Sequence, residues 1–278
     1  MTVTGCLYAG TLPGVDLGTR IAVAGESGFE SVSISPPEAA GFLDHGRSAE
    51  LIELLDRHRM RLGCLDPVVG WVPNVRPAHP AHAPFAAFGT ERCLEQAERL
   101  DIPLLNVIDV GWQPLPEAAL AGLAGLVERA GRSGVAVAVE FQVYSAVPDL
   151  ATAGRLCRGS GADLMIDAWH FFRSGAVIDD LRGGPGRVRV RGVQLSDGAA
   201  VPGADPVIES TQARLLPGSG GFDLAGLLRV VGPDRPTVGV EVFNRAHTAD
   251  RSLPVARAAQ HGLRETIAAA QPQCPPQR

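Results

Sequence analysis

Four apolar, strand-like runs in the second half of the chain each carry one oxygen-bearing side chain near their end. They are V-E-F at 139–141, M-I-D-A-W-H at 165–170, V-Q-L-S-D at 193–197 and V-E-V-F at 240–243. The donors are Glu140, Asp167, Gln194 and Glu241, and the first three are evenly spaced (167 − 140 = 27 and 194 − 167 = 27). One strand, one helix and two turns take about that many residues. Successive parallel strands with this period would set all four donors on one rim.

The rest of the chain fits such a sheet. Strand and helix patterns alternate throughout, which favours an α/β fold. Strands are expected at 5–10, 31–35, 62–68, 104–110, 135–141, 162–167, 190–197 and 237–243, with Pro67 ending the third. Helices are expected at 15–27, 47–60, 85–99, 116–132, from Pro148 to Gly159, near 176–182, over 222–231 and at 250–268. Eight strands in 278 residues match the roughly 250 residues of a (β/α)₈ TIM barrel. The reading is therefore a single barrel domain over 1–270, followed by a disordered Pro/Gln tail at 271–278.

Composition removes several classes of function. The formal net charge is −5, whereas nucleic-acid binders usually present a basic face. No apolar run reaches the ~18 residues of a membrane span, and the first residues lack a signal-peptide pattern. The expectation is a cytoplasmic protein that binds neither nucleic acid nor membrane. The five cysteines have no metal-ligand spacing. All 25 basic residues are Arg, so a lysine Schiff base and a Walker-type phosphate lysine are both excluded.

Three carboxylates converging on one rim would repel one another strongly. A divalent cation relieves that repulsion. An all-oxygen donor set suits Mn²⁺ or Mg²⁺ better than Zn²⁺ or Co²⁺.

These motifs, together with S-A-V-P-D-L at 145–150 and L-L-P-G-S-G-G-F-D-L at 215–224, resemble the xylose-isomerase-like TIM-barrel superfamily. Within it the likeness is to the sugar phosphate isomerase/epimerase group, which includes ketose 3-epimerases, inosose dehydratases and 3-dehydroshikimate dehydratases. The resemblance covers strands five to eight, and the first half matches only as a scaffold. It implies that Glu140, Asp167, Gln194 and Glu241 are metal ligands and that Glu140 and Glu241 move protons on opposite faces of the substrate. It further implies that His170 contacts a substrate oxygen and that Arg214 binds substrate. The family usually has His where Gln194 stands.

Other residues at strand ends are candidates for the substrate wall. Tyr8, Trp71, Trp112 and Trp169 could stack on sugar C–H faces, with Trp169 favoured by its place between Asp167 and His170. Asp66 and Asp109 read as helix caps or loop braces. Asp197 reads as a partner for Arg or substrate. His79 and His82 read as loop residues. The G-S-G-G turn at 218–221 is a weak phosphate candidate, so neutral substrates are favoured.

The chemistry expected of such a site needs no appeal to the family. A divalent ion chelated by a hydroxyl and an adjacent carbonyl acidifies the neighbouring C–H. A carboxylate removes the proton, giving a metal-stabilised cis-enediolate. The first expectation is a metal-dependent isomerase or epimerase of a keto-sugar or sugar-like polyol, compatible with a homo-oligomer. The alternatives are a lyase of the same scaffold, with His170 or Tyr144 as acid, an endonuclease on abasic DNA, and a repurposed cyclase or ligand-binding pseudoenzyme.

Overall fold

A computed structural model describes residues 5–183 and 187–271. Of the expected tail, residues 272–278 lie outside the described residues. Eight parallel strands close in chain order. They are β1 (Gly5–Leu7), β2 (Ser31–Ile34), β3 (Arg61–Val68), β4 (Leu104–Val107), β5 (Ala136–Glu140), β6 (Asp163–Asp167), β7 (Val190–Leu195) and β8 (Thr237–Val240). Pairing of β8 with β1, through Gly5 opposite Val238 and Leu7 opposite Val240, completes the cylinder. The expected (β/α)₈ barrel is the observed fold.

Around it run α1 (Leu17–Ser27), α2 (Pro36–Leu43), α3 (Ser48–His58), α4 (Ala83–Ala86), α5 (Thr90–Arg99), α6 (Ala118–Arg132), α7 (Leu150–Ser160), α8 (Ala168–Arg173), α9 (Pro206–Gln212), α10 (Leu224–Val231) and α11 (Ser252–Ala270). Local chemistry sets their ends. Asp16 and Asp149 cap α1 and α7 through the N–H groups of Thr19 and Thr152, as short oxygen-bearing side chains do at N-caps. Gly28 and Gly161 close the same helices in left-handed conformation. Among the described residues no helix is long and apolar enough to cross a membrane.

Side chains alternate across each strand. The outward set, including Leu7, Val32, Ile34, Leu65, Leu105, Val107, Val137, Val139, Leu164, Ile166, Val193 and Val240, packs under the helices in one continuous core. The inward set forms a second cluster of Cys6, Tyr8, Cys64, Leu104, Ala138 and Met165 inside the barrel. One step further along the same alternation lie Asp66, Asn106, Glu140, Asp167, Gln194 and Glu241. The sheet thus has an apolar floor and a polar rim at its carboxyl end, where barrel active sites are built.

Gly239 shows how tightly that floor is packed. A Cβ there would stand 2.5 Å from the Tyr8 ring and 2.5 Å from the Cys6 carbonyl oxygen. Neither neighbour can move without shifting β1. Gly239→Ala is expected to cost about 1–3 kcal/mol as overpacking, seen as a fall of several degrees in melting temperature. An unchanged melt would mean that β8 does not pin Tyr8.

Several expectations differ from the structure. The helix expected at 85–99 is broken between Ala86 and Thr90, the one near 176–182 is a 3₁₀ turn at Ile178–Leu181, and the seventh strand ends at Leu195. Pro67 lies within β3 rather than ending it, and the β3–β4 register shifts between Leu65 and Val68 because proline donates no ladder hydrogen bond. Strands one, four and eight stop three residues early. The chain turns into a 3₁₀ turn at Ala9–Thr11, into the Asp109 loop after Val107, and into the segment carrying Glu241 after Val240. Helices α2, α8 and α9 fall in segments with no helical periodicity. A capping box of Ser35 and Glu38 starts α2, and single aspartates, Asp167 and Asp205, start the other two.

Candidate active site and metal centre

Asp167 ends β6 and caps α8 with the same carboxylate. Its Oδ1 accepts the His170 N–H at 2.9 Å, which holds the carboxylate in place and sets His170 on the first turn of the helix. Its Oδ2 accepts from Arg214 Nη1 at 2.5 Å, in a pair buried on both sides. Arg214 is in turn fixed by the Ser210 carbonyl at 2.7 Å and the Ser210 hydroxyl at 3.0 Å. Its guanidinium lies over Trp169 and Phe243. The charged fork is thus held between two aromatic faces, an arrangement that suits Arg and not Lys.

Glu140 accepts from Asn106 Nδ2 at 2.5 Å through Oε2. Gln194 donates from Nε2 to Glu241 Oε2 at 3.0 Å. Its carbonyl oxygen, Oε1, is buried with no hydrogen-bond partner among the described residues. A buried unpaired acceptor is costly, so this atom would be stabilised by a cation or a donor. The carboxylate and imidazole atoms of Glu140, Asp167 and His170 come within 4.8 Å of one another. Glu241 is not part of that trio and is joined to the group through Gln194.

Charge is badly out of balance here. Asp66, Glu140, Asp167 and Glu241 crowd together, and among the described residues the guanidinium that offsets Glu140, Asp167 and Glu241 is that of Arg214. Burial, then Asp167 and Asp66, push the Glu140 carboxyl up to about 8. Burial, then Asp66 and Glu140, push Glu241 well above the usual carboxylate range. Such a site either takes up protons or takes up a cation. The unpaired Gln194 oxygen and the crowded carboxylates fit a hard divalent ion, which Glu140, Asp167, Gln194 and Glu241 could hold. His170 stands at the edge of this set.

His170 is fully buried, and burial pushes it down to about 3, with Arg214 acting in the same direction against Asp167. It is therefore a neutral imidazole. Its Nδ1 lies 3.3 Å from the Val143 N–H and accepts from it, which leaves the proton on Nε2. Arg214 Nη2 lies 3.4 Å from that Nε2. Two donors facing each other make no bond, but together they can grip one oxygen.

The aromatic candidates divide. Trp112 sits at the rim in left-handed conformation, with φ of 52°. Its ring lies 5.1 Å from that of Tyr144, which in turn meets His170 edge-on at 5.4 Å. Tyr8 is buried against the barrel floor with its hydroxyl unpartnered among the described residues. Trp169 is fully buried behind His170, its N–H held by Glu209 at 3.2 Å. Trp71 does not join the group. Its ring packs in the outer core and its N–H is taken by the Ile108 carbonyl at 2.8 Å.

Asp109 is a loop brace, accepting from the N–H groups of Gly111, Trp112 and Ala146. Asp197, expected to meet Arg or substrate, is also a brace. It accepts from the backbone N–H groups of Gly198, Gly218, Gly220 and Phe222. Two of them, the Gly218 and Gly220 amides, are ones the 218–221 turn would have offered to a phosphate. Asp66 is no brace: among the described residues it accepts only from Asn106 Nδ2, at 2.8 Å. Asn106 itself is a site residue that the sequence reading did not single out. Its signal was a lone amide in the apolar run L-L-N-V, in phase with Leu104 on the inward face.

A family model for xylose isomerase-like TIM barrels matches residues 21–267. The chain belongs to that family. Solved structures share the barrel at low identity. One is a xylose isomerase-like TIM barrel/4-hydroxyphenylpyruvate dioxygenase fusion protein, 18% identical, with a TM-score of 0.79 over 97% of this chain. This chain spans only 43% of that longer protein. Another is an IOLI protein with a bound zinc atom, 17% identical, with a TM-score of 0.79 over 96% of this chain and 99% of that one. A third is a D-psicose 3-epimerase in the presence of D-fructose, 15% identical, with a TM-score of 0.68 over 96% of this chain and 99% of that one. No curated protein sequence matches the chain.

Proposed function

We propose that this barrel is a divalent-metal-dependent isomerase or epimerase of a keto-sugar or sugar-like polyol, with Mn²⁺ or Mg²⁺ as the preferred ion. The observation that carries this reading is the set of buried carboxylates beside the unpaired Gln194 oxygen, with one guanidinium to offset them. The zinc bound by one barrel of this fold and the ketose accompanying another support it. When bound, the ion polarises the substrate carbonyl as a Lewis acid and draws the carboxylates into their charged forms.

Glu140 ends β5 and Glu241 directly follows β8, with Asp167 and Gln194 on the strands between them. One carboxylate removes the proton from the carbon next to the carbonyl. The other returns a proton from the opposite side, which inverts that centre, or to the neighbouring carbon, which moves the carbonyl. The Asn106 amide and the Gln194 amide each hold one of these carboxylates in place. Arg214 Nη2 and His170 Nε2–H converge on one substrate oxygen and offset charge that develops there. Trp112 and Tyr144 form the aromatic side of the pocket and exclude water from it.

A lyase is the second reading, favoured by the place of His170. A neutral Nε2–H at the edge of the carboxylate trio, with Tyr144 beside it, could protonate a departing β-hydroxyl. The test is proton exchange. Protein loaded with Mn²⁺ and mixed in D₂O with a panel of ketoses and cyclic polyol ketones is expected to exchange the C–H next to the carbonyl. Exchange with retention of the carbon skeleton and all oxygens supports the isomerase or epimerase. Loss of water moves the assignment to the lyase, and no exchange with any substrate of the panel overturns the reading.

A further inference from the structure

The four expected ligands and Arg214 occupy the β5–β8 half of the rim. The other half is polar as well, and beyond the Asn106 amide that holds Glu140 the proton-transfer chemistry does not use it. Asn106 donates through Nδ2 both to Glu140 Oε2 at 2.5 Å and to Asp66 Oδ1 at 2.8 Å, so one amide ties two carboxylates together. That single bond is all Asp66 receives among the described residues. The Asn106 Oδ1 atom is fully buried and unpartnered, and so is the Tyr8 hydroxyl. Asn106 stands on β4, directly beside Asp66 on β3, whereas Tyr8 follows β1, two strands away, in the apolar floor.

A carboxylate held this way has no structural task. It caps no helix and braces no loop, and it stands close enough to Asp167, Glu140 and Glu241 to repel them. With a divalent ion in place, the charges of Glu140, Asp167 and Glu241 are balanced by the ion and Arg214. Asp66 then remains as the surplus negative charge, next to an acceptor, Asn106 Oδ1, that also lacks a donor. Asp66 Oδ2, with no donor among the described residues, and the unpartnered Asn106 Oδ1 are both acceptors, and they define what a neighbouring group must carry.

We infer that Asp66 and Asn106 form a second recognition subsite, and that the substrate end reaching it bears hydrogen-bond donors, as hydroxyls or a protonated amine, rather than a phosphate or carboxylate. The inference rests on the polyol reading above and narrows its substrate class. Asp66 is a specificity-determining residue here, and takes no part in the proton transfer.

A charge series tests it by equilibrium binding to Mn²⁺-loaded protein, read by calorimetry. The probes are D-fructose, 6-amino-6-deoxy-D-fructose and D-fructose 6-phosphate, which differ only at the end away from the carbonyl. The wild type is expected to bind the first two at least about tenfold more tightly than the phosphate, the worth of one charge-assisted hydrogen bond. Tighter binding of the amine than of D-fructose identifies a cationic substrate, and equal binding a neutral one.

Asp66→Asn keeps shape and the Asn106 contact while removing the charge. It is expected to retain one Mn²⁺ per chain and to shrink the amine-to-phosphate preference about tenfold or more. A merely structural Asp66 would leave that ratio unmoved. Overturning results are a wild type that binds the phosphate as well as the others, or an Asp66→Asn ratio within about threefold of the wild type. Failure of all three probes to bind protein that holds Mn²⁺ would remove the polyol reading itself. Binding of D-fructose with no effect of Asp66→Asn would remove only the subsite.

Discussion

Glu140→Gln is expected to lower turnover by about two to four orders of magnitude, the range for loss of a general acid–base group, while raising the melting temperature of the metal-free protein. The two halves of that result have one origin. Glu140 is buried beside Asp167 and Asp66, and this company pushes its carboxyl up to about 8. Folding therefore disfavours its charged form, and an amide of the same shape relieves the repulsion. Asn106 Nδ2 can still donate to the Gln oxygen, so the local hydrogen bond survives. What is lost is the group that takes or gives a proton. Steady-state kinetics beside thermal melts in chelator would check both halves. Glu241→Gln should behave alike in kinetics, since it carries the other proton. A Glu140→Gln protein with wild-type turnover would remove it from the chemistry. A variant less stable than the wild type without metal would show that the carboxylate is stabilising.

Much of this arrangement is written in the sequence at the level of period and phase. Even spacing of Glu140, Asp167 and Gln194 reported both the βα repeat and the shared rim. Where the strand signal was strong, as in V-A-V-A-V-E-F, alternation also told which residues face inward. The first half of the barrel was harder to read. Leu104, Asn106 and Asp66 follow the same inward alternation, yet Pro67 made β3 look finished at the residue that matters. Asp66 then resembled any aspartate opening a loop. Trp71 and Asp197 mislead for a related reason. Both follow strand ends, but a strand's end does not say whether the next residue turns inward or out. Tertiary partners decide that: the Ile108 carbonyl for Trp71 and four loop amides for Asp197. Helix α8 is invisible to periodicity at six residues; its signal is a single cap, and that cap is itself one of the site carboxylates.

Metal-free protein is expected to lose stability as pH rises from about 5 to about 9, and added Mn²⁺ to restore it most at the alkaline end. The sign follows from the direction of the shifts. Glu140 moves from an ordinary value of 4.5 up to about 8, and Asp66 from 3.8 up to about 6. Burial is the first cause for both. The folded state then holds protons that the unfolded chain has already released, so their stabilising contribution is full below the unfolded values and is lost as pH climbs through the folded ones. The change is on the order of a few kcal/mol between those limits. This is the reverse of ordinary acid denaturation, in which salt-bridged carboxylates lose stability as pH falls. A divalent ion competes with those protons. Its uptake should release protons into solution and grow tighter with pH. Melting curves from pH 5 to 9, with EDTA and with Mn²⁺, separate the cases. A gap between the two curves that widens with pH locates the ion among these carboxylates. A constant gap would place it elsewhere, and coincident curves would mean that protons alone balance this site, leaving Glu140 and Glu241 neutral at pH 7 and without the charge needed to act as bases.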